Sequence, residues 1–150
     1  MTAPTPCRVL VAYPYLTAKT REVLASTDVP VELVVDSGAY TAWNTGRSIK
    51  LDDYCRTIAD MKPAPWRYFN LDVVGDPEAS DANYREMLRQ GFTPVPVLTR
   101  GGTERDLNEM FETSDVVAIG GLNPLRGNQR HGYIKRVVRW ARGRKLHLLG

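Results

Sequence analysis

Six short apolar runs punctuate the chain: RVLVAY (8–13), VELVVD (31–36), RYFNLDVV (67–74), FTPVPVL (92–98), DVVAIGGL (115–122) and KLHLLG (145–150). Each has the length and the β-branched or aromatic content of a strand. Between them, apolar residues recur at helical spacing. Leu51, Tyr54, Cys55, Ile58 and Met61 form one such stripe, with Asp52 and Asp53 in a first turn where the helix dipole favours acids. Tyr84, Met87 and Leu88 form a second, closed by Gly91. Leu107, Met110 and Phe111 form a third, opened by the capping-box pattern from Thr103 to Asp106. Tyr133, Ile134, Val137, Val138 and Ala141 continue the series. Strand followed by helix, repeated in this way, predicts βα units and a parallel sheet.

The length sharpens that expectation. At 150 residues, 43% of them apolar, the chain is expected to form one domain with a sizeable core. The alternation stops in the sixth strand-like run, whereas a closed (β/α)₈ TIM barrel usually needs about 250 residues. The pattern therefore predicts either an open α/β sheet or an incomplete TIM-barrel-like domain of about six βα units with parallel strands. No apolar run approaches the roughly 18 residues of a membrane span. The N-terminus MTAPTPCR lacks a signal segment, so a soluble, cytoplasmic protein with no membrane partner is expected. Cys7 and Cys55 stand far apart without a C-x-x-C partner, which predicts reduced thiols packed in or near the core.

Charge divides the chain unevenly. Residues 1–115 hold 12 Lys and Arg against 17 Asp and Glu, a balance of −5; residues 116–150 hold 8 Lys and Arg and no acid, a balance of +8. Arg126, Arg130, Lys135, Arg136, Arg139, Arg142, Arg144 and Lys145 make up this basic end. They read either as a solvated helix face or as a contact for nucleic-acid phosphates.

Parallel α/β folds bind ligands beyond the carboxyl ends of their strands. Three of the six runs end suggestively: Asp36 with Ser37 and Gly38; Asn70 and Asp72 with Asp76; and the pair Gly120 and Gly121. Two carboxylates and two bare backbone amides would converge on one mouth. A carboxylate can accept from the N–H and NH₂ edge of a purine, and glycine amides can approach a carbonyl oxygen closely. Tyr40 offers a flat surface for stacking. The plainer alternative is that Asp36 caps its own turn before Ser-Gly and that Asp76, before Pro77, is a helix N-cap.

Other motifs point away from several chemistries. Gly101-Gly102 and Gly120-Gly121 fit neither a dinucleotide fingerprint nor a P-loop. His131 and His147 lack metal-ligand spacing and read as structural, so no metal is expected. No G-x-S-x-G elbow is present for a hydrolase.

DSGAY (36–40), NLDVVGDPEA (70–79), AIGGL (118–122) and LHLLG (146–150) stand in an order that resembles the tRNA-guanine transglycosylase superfamily. The resemblance is to its phage and bacterial branch, which acts on deazapurines in DNA or is described as queuine tRNA-ribosyltransferase-like. It spans residues 8–150 and corresponds to the N-terminal part of that family's barrel. Such enzymes exchange guanine in a polynucleotide for a 7-substituted 7-deazaguanine without cutting the backbone.

The resemblance implies a transferase of the pentosyl class that binds guanine or 7-deazaguanine and acts on DNA or tRNA without a cofactor. It implies that Asp36 contacts the base and assists proton transfer, with Ser37 beside it, and that Tyr40 stacks. It implies that Asp72 is a second base-reading carboxylate and that the Gly120 and Gly121 backbone faces the base carbonyl. Arg100, in TRGG, stands where tRNA-acting members carry a glutamine. The family's nucleophilic aspartate follows the LHLLG segment and its zinc site has no counterpart here. A truncated or split member is therefore expected, inactive alone unless a downstream chain completes the barrel. The rival readings are a non-catalytic nucleic-acid- or partner-binding fragment, and an unrelated α/β enzyme that uses two carboxylates for acid-base or Mg²⁺ chemistry.

Overall fold

A computed structural model describes residues 5–149. Six parallel strands alternate with helices: β1 (Cys7–Ala12), α1 (Ala18–Ala25), β2 (Val31–Asp36), α2 (Ala39–Asn44), α3 (Leu51–Asp60), β3 (Arg67–Tyr68), α4 (Pro77–Arg89), β4 (Val97–Leu98), α5 (Glu104–Thr113), β5 (Val116–Ile119), α6 (Gly127–Ala141) and β6 (Lys145–Leu148). They form two three-stranded parallel sheets, ordered β1-β2-β3 and β4-β5-β6. No closed barrel forms among the described residues.

The two sheets meet where the ladder is thinnest. A parallel bridge joins Phe69 to Val95, with Val95 N–H donating to Tyr68 O at 2.8 Å and Asn70 N–H to Val95 O at 3.1 Å. The runs 67–74 and 92–98 were expected to be full strands, but each contributes a two-residue ladder strand. Pro94 and Pro96 carry no N–H and interrupt the second run. Asn70 compensates from its side chain, accepting from Val97 N–H at 2.7 Å and donating to Ser80 O at 3.4 Å. This residue was grouped with the acids of the mouth; it is buried and holds the seam between the sheets.

Strand alternation separates two layers of core. Val35 packs with Tyr54, Cys55 and Ile58 of α3 and Met87 of α4, while Leu98 and Ile119 pack with Leu107 and Met110 of α5 and Tyr133, Val137 and Ala141 of α6. The opposite sheet face buries Val34, Phe69, Val95, Val97 and Ala118 together. Most residues of the helical stripes are buried as the periodicity predicts; Leu88 is only partly so, and two further expectations fail. Val138 is 51% exposed on the outer face of α6, and Cys7 is exposed on β1 rather than in or near the core. β1 and β6 are the outer strands, and they expose Leu10 and Leu148.

Candidate functional site at the strand ends

β2 delivers Asp36 to the sheet's carboxyl end, level with Ala12 of β1. The chain then turns sharply, with Gly38 in the left-handed region at φ 75° as the N-cap of α2. A Cβ there would lie 2.3 Å from Cδ of Pro14, so both the conformation and the space require glycine. Asp36 Oδ2 accepts from Gly38 N–H at 3.1 Å, the local turn bond that the plainer reading foresaw. Asp76 likewise caps α4, accepting from Ala79 N–H at 2.9 Å.

Ser37 makes the connection that distinguishes this mouth. Its hydroxyl donates to Asp72 Oδ1 at 2.9 Å across 35 residues of sequence, and accepts from Ala39 N–H at 3.2 Å. Ser37 is fully buried and Asp72 nearly so. Asp36, Tyr40, Asp72, Gly120 and Gly121 then line one cleft with Ala39, Val74, Leu122, Asn123 and Leu149. Arg100 is not among its lining residues; it is exposed, its backbone against Gly121 and its guanidinium near Gly75.

The glycine pair is sterically required. A Cβ on Gly120 would stand 2.7 Å from Val97 Cγ1 and 3.4 Å from Asp72 Oδ2; one on Gly121, at φ 69°, would stand 3.0 Å from Arg100 N. Gly120 N–H, however, donates to Leu98 O at 2.9 Å and is committed to the sheet. The expectation of two bare amides fails at that position because β5 still pairs there. The cleft encloses about 50 Å³, below the roughly 300 Å³ at which small-molecule pockets begin. On its rim Tyr40 sits half-exposed on the short α2 against Trp43 at 5.8 Å.

Burial sets the site's proton affinity. Asp72 is pushed up to about 6 by desolvation, opposed by the Ser37 hydroxyl and reinforced by the negative charge of Asp36. Asp36 is also raised by burial, against the Gly38 and Ser37 amides and the charge of His147. His147 is lowered by burial, although Asp36 pulls the other way. Burial thus makes both carboxyls harder to ionise than an exposed aspartate, Asp72 further so because of the charge of Asp36.

Sequence reasoning missed several neighbours. Tyr54 donates to Phe69 O at 2.7 Å, and its phenol is raised well above the usual range by burial, then by Asp36 and Asp72. It was read as a core stripe residue, and its spacing gave no other signal. His147, read as structural, tilts against Phe69 at 5.2 Å on the inner face. Thr99 is buried beneath Gly121, and its hydroxyl has no hydrogen-bond partner among the described residues.

The basic end is partly occupied within the fold. Arg142 pairs with Glu104 at 2.9 Å, Arg144 donates to Asn108 at 2.6 Å and stacks on Phe111 at 4.2 Å, and Lys145 lies 3.7 Å from Asp115. Burial raises the Tyr133 phenol to about 12 against the charges of Arg136 and Arg100. Among the described residues no group of three or more His, Cys, Asp or Glu is placed to hold a metal ion, and no helix is long and apolar enough to cross a membrane. No family model, curated protein or solved structure matches the chain.

Proposed function

We propose that the chain is a transglycosylase-like protein that binds guanine or a 7-deazaguanine presented by DNA or tRNA. The observation that carries this reading is the Ser37 hydrogen bond to Asp72, which holds a second carboxylate beside Asp36 on one cleft. In this reading Asp36 and Asp72 accept from the purine's N–H and NH₂ edge, and a carboxyl of the pair moves the proton that the exchange of bases requires. Gly121 faces the base carbonyl, since the amide of Gly120 is engaged by Leu98. Tyr40 closes over the ring as it enters. The attack on the sugar is assigned to no residue of this chain.

The matching fold is an incomplete (β/α)₈ barrel. It is supported by the all-parallel strands, their sequential order in each sheet, the Phe69–Val95 bridge and the common inner cluster around Val97. Isothermal titration tests the function: guanine and 7-cyano-7-deazaguanine bind the wild type, and Asp36→Ala and Asp72→Ala each weaken binding by at least about tenfold. Absence of heat with wild type, or equal binding by both variants, removes the proposal.

The second reading, a nucleic-acid-binding module without exchange chemistry, is favoured by the exposed Arg100 and Arg126, which follow β4 and β5, and by the exposed Arg136 of α6. It predicts polynucleotide affinity that falls steeply with salt and survives Asp36→Ala. Filter binding of duplex DNA and tRNA at two salt concentrations separates the two.

A further inference from the structure

A second depression lies on the helix side of the fold, outside the base cleft. It is a groove of about 780 Å³ between α4 and α5. Its lining includes the apolar Tyr84, Leu88, Val97, Leu98 and Met110 together with Thr99 and Thr113. Its rim carries Glu78, Asp81, Asp106, Glu109 and Glu112 against Arg85 and Arg105. Asp81 and Glu109 are neutralised in part by those arginines, whereas Glu78 and Glu112 enter no ion pair among the described residues. The helices are tied across it by Tyr84 Oη and Thr113 Oγ1 at 2.6 Å and by the 3.6 Å Arg85–Glu109 pair.

The outer face of α6 has the complementary character. Lys135, Val138 and Arg139 lie at helical spacing on its solvent side, and α6 contains no acid. Val138 is 51% exposed beside Lys135 and Arg139. An exposed apolar residue flanked by cations suits an acidic groove lined in part by apolar side chains better than a row of phosphates, which rewards charge alone. α6 packs on the far side of α5 from the groove, so it cannot fill the groove of its own chain.

We infer that the α4–α5 groove receives the α6 outer face of a second copy of this chain. With groove and basic face set on either side of α5, a two-fold axis beside α5 satisfies both grooves at once, giving an isologous dimer. The arrangement uses neither the base cleft nor the outer edges of β1 and β6. It therefore stands independently of the function proposed above.

Charge reversal decides it. Sedimentation of the wild-type chain shows a dimer whose dissociation constant rises with salt. Lys135→Glu/Arg139→Glu weakens it by at least about tenfold, as does Glu78→Lys/Glu112→Lys, because each sets like charges face to face. An equimolar mixture of the two double variants restores dimers, since every reversed face then meets a complementary one. Circular dichroism melts confirm that both variants fold. A monomeric wild type, association unchanged in either variant, or a mixture that stays monomeric overturns the inference. So does loss of tRNA or duplex DNA binding in Lys135→Glu/Arg139→Glu without any change in self-association.

Discussion

Asp72 sits where its charge is least welcome. Its carboxyl is raised from an ordinary 3.8 to about 6, so between about pH 4 and about pH 6 the folded state holds a proton that the unfolded state has released. Stability from this group is greatest below about pH 4, falls as pH rises through that window, and is level above it; the total is about 3 kcal/mol. Asp72→Asn keeps an oxygen to accept from Ser37 and removes the buried charge. The variant is therefore expected to melt at a higher temperature than wild type at pH 8, the gap closing as pH approaches 4. Parallel thermal melts across that range check it. A variant less stable than wild type at pH 8 would mean that the ionised carboxylate is itself held by bonds beyond the Ser37 hydroxyl. A residue that costs stability at neutral pH is the kind retained for function.

The elements show why some of this was legible and some not. Helices α3, α4 and α5 have one strongly apolar stripe each, and their stripes lie in the core. The caps at Asp76 and Thr103 followed from local rules that need no tertiary information. α1 buries no residue and α2 spans six residues, so neither offered periodicity to detect. The Ser37–Asp72 link joins positions 35 residues apart and has no local signature. β3 and β4 were overdrawn because apolar content was counted where the ladder needed N–H groups. Asn70 fills that gap, and its substitution tests the element directly. Asn70→Ala leaves the buried N–H of Val97 unpaired and is expected to cost about 1–3 kcal/mol in urea unfolding. A loss under about 0.5 kcal/mol would place the seam's strength in the Phe69–Val95 bridge instead.

For the whole molecule the open question of the sheet is its two outer edges. β1 and β6 each have one neighbour, and residues of both, Leu10 with Leu146 and His147, line a single cleft of about 640 Å³ whose floor includes Val34, Phe69, Val95 and Val116. Arg8 and Arg67 stack on Trp66 at 4.2 and 4.9 Å at one end of that cleft, and Arg67 reaches Asp115 at 3.2 Å, tying the two sheets there. Further along those strands, Leu10 and Leu148 are 48% and 51% exposed. Unpaired parallel edges invite pairing with other chains. The 150-residue chain is expected to scatter increasingly with concentration, and salt should strengthen this apolar association while weakening contacts made through α6. Leu10→Lys with Leu148→Lys should reduce scattering without lowering the melting temperature, because both side chains already face solvent. A wild-type chain that stays non-scattering and melts sharply would show that the edges cap themselves. The incomplete barrel would then give way to an open α/β sheet, and the cleft beside Asp36 would have to be read as a crevice of that sheet instead of a barrel mouth.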